Sequence, residues 1–201
     1  MPTRNELYLS SVIPAQAERT GAKANLTDLA SVHRFVMSLF GELADSSTPR
    51  SSANILFRLE TLQNQDRLLI QSSVRPVPRK KVSTIDASAL LDSIKQGVKY
   101  RARLAVNPVQ RVARKGTDRA IPTEQVPEWV KNKISSGFLV DQLIDCRFRL
   151  CRAGKKKIVV ADVDATIKVI DAEVASHLVT SGVGRRKSHG CGLLSLAPLP
   201  G

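Results

Sequence analysis

The stretch Gly182-Val-Gly-Arg-Arg-Lys-Ser-His-Gly-Cys-Gly-Leu-Leu-Ser-Leu-Ala-Pro198 carries four glycines and three consecutive cations and runs straight into a short apolar strand. Glycine lets the main chain approach an anion closely and turn through positive φ. Gly182, Gly184 and Gly190 can therefore turn N–H groups toward phosphate oxygens, while Arg185, Arg186 and Lys187 supply charge and His189 stands in the loop either to contact phosphate or as a second proton-transfer group. Two familiar phosphate loops do not fit. The dinucleotide fingerprint needs a glycine where Lys187 stands, and the nucleoside-triphosphate loop needs Gly-Lys-Ser where the chain reads Arg186-Lys187-Ser188. Both of those loops leave a strand and open a helix, whereas this one leaves a predicted helix and enters a strand. The order sets the chain apart from the doubly wound nucleotide folds, and the expected ligand is not a mononucleotide.

Working back from that loop, one order of elements appears twice. In the first half the patterns predict a strand over residues 6–13, a helix over 26–40, a hairpin of strands over 54–62 and 67–73, a helix over 86–96 and a closing strand over 98–106. In the second half they predict a strand over 111–121 and a helix over 124–136 with Pro127 in its first turn. A hairpin over 143–151 and 157–170 turns around Ala153-Gly154, and a helix over 171–180 and a last strand over 191–197 follow. Each half reads β-α-β-β-α-β. The expectation is α+β: two tandem ferredoxin-like (βαββαβ, RRM-like) domains, 1–108 and 109–201.

Strand alternation adds a charge pattern. In Lys99-Tyr-Arg-Ala-Arg-Leu-Ala-Val106, period two puts Lys99, Arg101 and Arg103 on one face and Tyr100, Ala102, Leu104 and Val106 on the other. The same rule sets Arg147 and Arg149 opposite Cys146, Phe148 and Leu150. With Arg152, Lys155, Lys156 and Lys157, the hairpin holds six basic residues among the eleven from 147 to 157 and no acid. Such a tip suits the groove of a helical RNA, and solubility of a sheet face is the plainer explanation for the same cations.

Charge as a whole points the same way. Thirty-one Lys and Arg against eighteen Asp and Glu give +13, which favours a polyanion. The excess is +6 over residues 1–108 and +7 over 109–201, so a surface across both halves fits better than a detachable basic tail. Three cysteines, Cys146, Cys151 and Cys191, form neither a disulfide framework nor a Cys-x-x-Cys zinc site and read as small hydrophobes of a reducing compartment. No cofactor or metal is implied. Without a signal segment or an apolar run near the ~20 residues of a membrane span, a soluble cytoplasmic protein is expected. Five Phe, two Tyr and one Trp, mostly at core-facing phases, leave little for base stacking. Recognition through phosphates and helix shape is expected instead.

Proton transfer near neutral pH falls to histidine, and the chain has three: His33, His177 and His189. On the first helix Leu29, Val32, Val36 and Phe40 form the buried stripe, with His33 at its edge. Spacing alone allows either a catalytic group or a satisfied boundary histidine there. His177, at a helix end, reads as structural.

Read as Gly-x-Gly-x-x-Lys-x-x-Gly-Cys-Gly-Leu-Leu-Ser-Leu-Ala-Pro, the C-terminal stretch resembles the signature of the CasE family, the CRISPR repeat-processing endoribonucleases of type I-E systems. Leu7-Tyr-Leu-Ser-Ser-Val12 is similar to the family's first strand, and Leu29-Ala-Ser-Val-His33-Arg-Phe-Val-Met-Ser-Leu-Phe40 to its histidine-bearing helix. Between the termini the likeness is looser, carried by element order and by Arg103-Leu-Ala-Val-Asn107-Pro108. The resemblance implies an endoribonuclease that binds the stem-loop of CRISPR repeat RNA and cleaves it without metal by 2′-hydroxyl attack. It would then stay on the guide RNA with other Cascade subunits. His33 would be general acid or base, and Lys187 would stabilise transition-state charge. The tyrosine that the family often places one turn before its histidine is Ala30 here. A second class stays open: a non-catalytic RNA stem-binding subunit of a ribonucleoprotein.

Overall fold

In the computed structural model, which describes residues 6–14, 25–43, 47–62, 65–78, 82–112 and 117–199, the chain is α+β and builds two four-stranded antiparallel sheets. The first holds β1 (Tyr8–Val12), β2 (Leu56–Leu62), β3 (Gln65–Ser72) and β4 (Val82–Asp86), in the order β2-β3-β1-β4. Next come β5 (Lys99–Val106) and a small separate hairpin, β6 (Val109–Arg111) with β7 (Asp118–Ala120). The second large sheet joins β5 to β8 (Phe138–Ala153), β9 (Lys156–Val169) and β10 (Leu194–Pro198), in the order β10-β5-β9-β8. Counted by chain order within each sheet, both run 4-1-3-2. That shared order is the ferredoxin-like repeat that the element pattern predicts.

The phase of the repeat differs from expectation by one strand. The segment expected to close the first half, β5, opens the second sheet, pairing with β9 from Lys99↔Lys168 to Val106↔Ala161 and with β10 from Leu194↔Leu104 to Pro198↔Tyr100. Its alternation is as expected, with Tyr100, Ala102 and Leu104 buried in the second core, but alternation specifies a face and not a partner. The first sheet is closed by β4, a strand the patterns do not flag. Helix α3 (Ser88–Ser93) follows β4 instead of preceding the closing strand. By its pairing, the segment from Lys99 onward goes with the second sheet rather than with the first half. The strand expected over 111–121 is the β6–β7 hairpin, whose residues 113–116 lie outside the described residues.

Helix α1 (Leu29–Met37) starts at Asp28, whose side chain accepts from the Ala30 N–H, and buries Leu29, Val32, Phe35 and Val36. A single turn, α2 (Pro49–Ser52), leads into β2. Helix α4 (Val126–Ile134) carries Pro127 in its first turn, where no intrahelical N–H is lost, and buries Val126, Val130 and Ile134 under the second sheet. Helix α5 (Ala172–Ser181) is capped by Asp171 and ends at Gly182. A third, small core joins the two units: Leu29 from α1, Ala105 from β5, Ile158 and Val160 from β9, and Cys191 from the glycine loop. Burial pushes the Cys191 thiol up to about 12, so this cysteine packs as a hydrophobe, as expected.

Candidate functional site

The join between the units brings the histidine helix and the glycine loop together. His33 projects from α1 and stacks on Phe57 of β2, with ring centroids 6.3 Å apart and planes inclined by 18°. Its ring is half-buried, and its Nδ1 is fully buried without a hydrogen-bond partner. Burial, first, and then the neighbouring His189, Arg50 and Arg34 hold the His33 pKa below the ordinary imidazole value. Both causes favour the neutral form of the ring. His189 is also lowered, by burial first and then by Arg186, and its Nδ1 lies 3.0 Å from the Ser188 hydroxyl.

Two of the loop's glycines are explained by packing. At Gly182, with φ of +76°, a Cβ would meet Leu56 Cδ1 at 2.8 Å and the Gly192 carbonyl at 2.9 Å. At Gly190, with φ of +75°, it would meet Phe57 at 3.1 Å. The loop thus lies on β2, against Phe57, the ring on which His33 stacks. Gly184, by contrast, has open space where a Cβ would sit. There Arg50, Asp118, Gly184, Arg185, Arg186, Lys187 and Ser188 line an open cleft of about 400 Å³. Lys187 Nζ donates to the Ser181 carbonyl at 2.6 Å, and burial, followed by Arg50, holds its pKa below the ordinary value. Arg185 and Arg186 both reach Asp118 of β7.

The hairpin tip arrives from the other side. The Gly154 N–H, in the β8–β9 turn, donates to Asp28 Oδ1 at 2.7 Å, the same carboxylate oxygen that caps α1, and Asp28 pairs with Arg152 in an isolated parallel bridge. The Asp28 pKa is lowered, first by the Gly154 bond. His33 lies five positions beyond Asp28, roughly 7.5 Å along the helix axis. Lys155, Lys156 and Lys157 are exposed at this tip, without a carboxylate partner among the described residues.

Arg147 and Arg149 do not join the tip. Arg147 pairs with Asp145 at 2.8 Å and Arg149 with Asp162 at 2.6 Å, beside a second cleft of about 370 Å³ between the two sheets that Arg58, Glu60 and Arg103 also line. Arg152 folds back onto the Gly154 carbonyl. The apolar alternates Phe148 and Leu150 are 40% and 66% exposed. The His177 ring lies 3.2 Å through Nε2 from the Ser181 hydroxyl on its own helix, away from the cleft lining. Sequence reasoning did not mark Arg50, which lines the cleft, or Asp28, which ties the hairpin turn to α1. Asp28 alone left a signal, as a helix-capping residue ahead of an apolar stripe.

Fold and site define a two-unit antiparallel α+β protein with a basic cleft beside a histidine-bearing helix. A family profile described as CRISPR associated protein matches residues 7–198. The Cascade subunit CasE of Escherichia coli K12 is 28% identical over 96% of this chain and 100% of its own length. The CRISPR-associated endoribonuclease Cse3 of Thermus thermophilus is 25% identical over 96% and 100%. Among solved structures, Cse3 bound to a 19-nucleotide RNA superposes with a TM-score of 0.77 at 22% identity, covering 96% of this chain and all of that one. The E. coli Cas6e crystal structure superposes with a TM-score of 0.67 at 26% identity, again over 96% and all. The chain belongs to the CRISPR-associated protein family and is a CasE-type member of it.

Proposed function

We propose that this chain is a metal-independent endoribonuclease that binds the stem-loop of CRISPR repeat RNA, cuts it by 2′-hydroxyl attack and stays on the product within a Cascade-type complex. The observation that carries this is the meeting of a half-buried His33, its neutral form favoured, with a cation-lined cleft across β2. A neutral imidazole is the form that accepts a proton. His33 is therefore the general base for the 2′-hydroxyl, a role typically worth about 10²–10⁴ in rate. Lys187 faces the charge that develops on the phosphoryl group. The glycine loop, through Gly182, Gly184, Gly190, Arg185, Arg186 and His189, holds the backbone at the cut. Arg147, Arg149, Arg152, Lys155, Lys156 and Lys157 form the basic side of the hairpin. Arg147 and Arg149 exchange their carboxylate partners for phosphate only if RNA displaces them, so the three lysines contribute most.

The test is incubation in EDTA with a labelled repeat-type stem-loop, beside a copy whose nucleotide before the cut carries a 2′-deoxy sugar. The expected result is cleavage of the first alone, with a 2′,3′-cyclic phosphate and a 5′-hydroxyl at the new ends. Tight binding of both without cleavage would instead support the RNA-holding subunit, a reading favoured by Ala30, which leaves no tyrosine one turn before His33.

Neutralising Lys155, Lys156 and Lys157 together should weaken stem-loop binding. The slope of log K against log salt should flatten by about 0.7 to 0.9 for each phosphate that is no longer neutralised. Anisotropy titrations across a salt series measure this, and an unchanged slope removes the hairpin from the interface.

A further inference from the structure

We propose that Arg50 is a catalytic residue of the cleavage step, its guanidinium facing the scissile phosphate across the cleft from the glycine loop and neutralising charge on the non-bridging oxygens. The inference rests on the endoribonuclease reading and adds to it a group that no sequence motif marks. Arg50 sits in the single turn α2, where its Nη1 donates to the Ile55 carbonyl at 3.1 Å. Ile55 leads directly into β2, so the strand that seats His33 through Phe57 also anchors the guanidinium. One nitrogen is thereby fixed, and the planar fork keeps further donors for two oxygens of one phosphate.

The charge balance of the cleft singles Arg50 out. Asp118 is the one acid lining it, and Arg185 and Arg186 already reach that carboxylate. Arg50 is half-buried and has no carboxylate partner among the described residues. It also sits close enough to His33 and Lys187 to lower the pKa of each, and none of the three is paired with a carboxylate among the described residues. A half-buried cation in such company is costly until an anion enters. In the reaction, the 2′-oxygen to phosphorus bond forms as the bond to the 5′-oxygen breaks. The 2′-hydroxyl proton passes to His33, the 5′-oxygen takes a proton from solvent water as it leaves, and Arg50 keeps its own protons throughout.

The experiment compares the parent with Arg50→Ala and Arg50→Gln. The glutamine retains a donor for the Ile55 carbonyl and so separates loss of charge from loss of the strap. Single-turnover cleavage should fall about 100-fold in both variants, since removing one preorganised donor to a developing oxyanion typically costs 10²–10³. Affinity for the uncleavable 2′-deoxy stem-loop should stay within about threefold. Millimolar guanidinium should restore Arg50→Ala at least about tenfold, with urea at the same concentration as the inert control. A rate within about threefold of the parent, a rate loss matched by weaker binding, or a loss that guanidinium does not repair would each reduce Arg50 to a strap on Ile55. If the parent itself leaves the stem-loop whole, the endoribonuclease reading is what has failed. If the parent cuts and His33→Ala does not, only the role of Arg50 is at stake.

Discussion

His33→Ala should lower single-turnover cleavage of the repeat stem-loop by about 10²–10⁴ while affinity for the 2′-deoxy copy stays within a few fold. The geometry separates the two effects. His33 makes no hydrogen bond through Nδ1, and its contact with Phe57 is a stack, so truncation leaves the cations of the loop and hairpin in place. The pH profile carries the sign of the assignment. A base must be unprotonated, so its contribution is full above its pKa and is lost as pH falls through it. Burial and the nearby His189, Arg50 and Arg34 hold the His33 pKa below the usual 6.5, so the rate should be level from pH 7 to 8 and decline only below the ordinary imidazole range. Full activity in His33→Ala would sink the assignment. A rate that still climbs between pH 7 and 8 would move the base elsewhere, with His189 the next imidazole to replace.

How far the site could be read from residues depends on how local its parts are. Helix α1 was legible because its apolar stripe lies within one segment, and that placed His33 at the stripe's edge, where it is found half-buried. The glycine loop was legible as a loop. Its seat on Leu56 and Phe57 was not, since no local pattern links residues 182–192 to a strand more than a hundred positions earlier. The same limit explains β5, whose alternation fixed the strand but not its sheet. Strand β4 was missed because Val82-Ser-Thr-Ile-Asp86 lacks a buried face, Ile85 being 59% exposed. Counting cations from 147 to 157 overstated the hairpin as a free basic surface. Asp162, which neutralises Arg149, stands across the ladder on β9, and Asp145, which holds Arg147, lies just outside the run. Arg50 had no signal at all, being one arginine in an unpatterned segment.

The largest expected effect on folding comes from Arg58→Ala. Arg58 lies on β2 at 3% exposure, yet all its hydrogen-bonding nitrogens are occupied. Nε and Nη2 donate to Glu60 Oε1 at 2.9 and 2.7 Å, Nη1 donates to the carbonyls of Arg103 and Leu193 at 3.1 and 3.2 Å, and Nη2 also reaches the Ser195 hydroxyl at 3.1 Å. Apart from Glu60 on the same strand, these partners belong to β5, to β10 and to the residue leading into β10, so one side chain of the first sheet is bolted to two strands of the second. Arg103 extends the lock, pairing with Asp164 at 2.8 Å and approaching Glu60 at 3.8 Å. Burial pushes the Arg58 pKa down while Glu60 pulls it up, so the pair is held by mutual charge in a poorly hydrated seam. Alanine would strand the half-neutralised Glu60 carboxylate and two carbonyls there, and breaking such a pair from one side typically costs about 3–5 kcal/mol. For a chain of this size that corresponds to a fall of roughly 6–20 °C in Tm. Urea titration of Arg58→Ala, Arg58→Met and Arg58→Met/Glu60→Leu tests the cause as well as the size. If the stranded carboxylate is responsible, the double variant should recover much of what Arg58→Met loses, because an apolar pair leaves no uncompensated charge in the seam. A loss below about 1 kcal/mol in Arg58→Ala would mean that the small apolar core of Leu29, Ala105, Ile158, Val160 and Cys191 holds the two units together by itself.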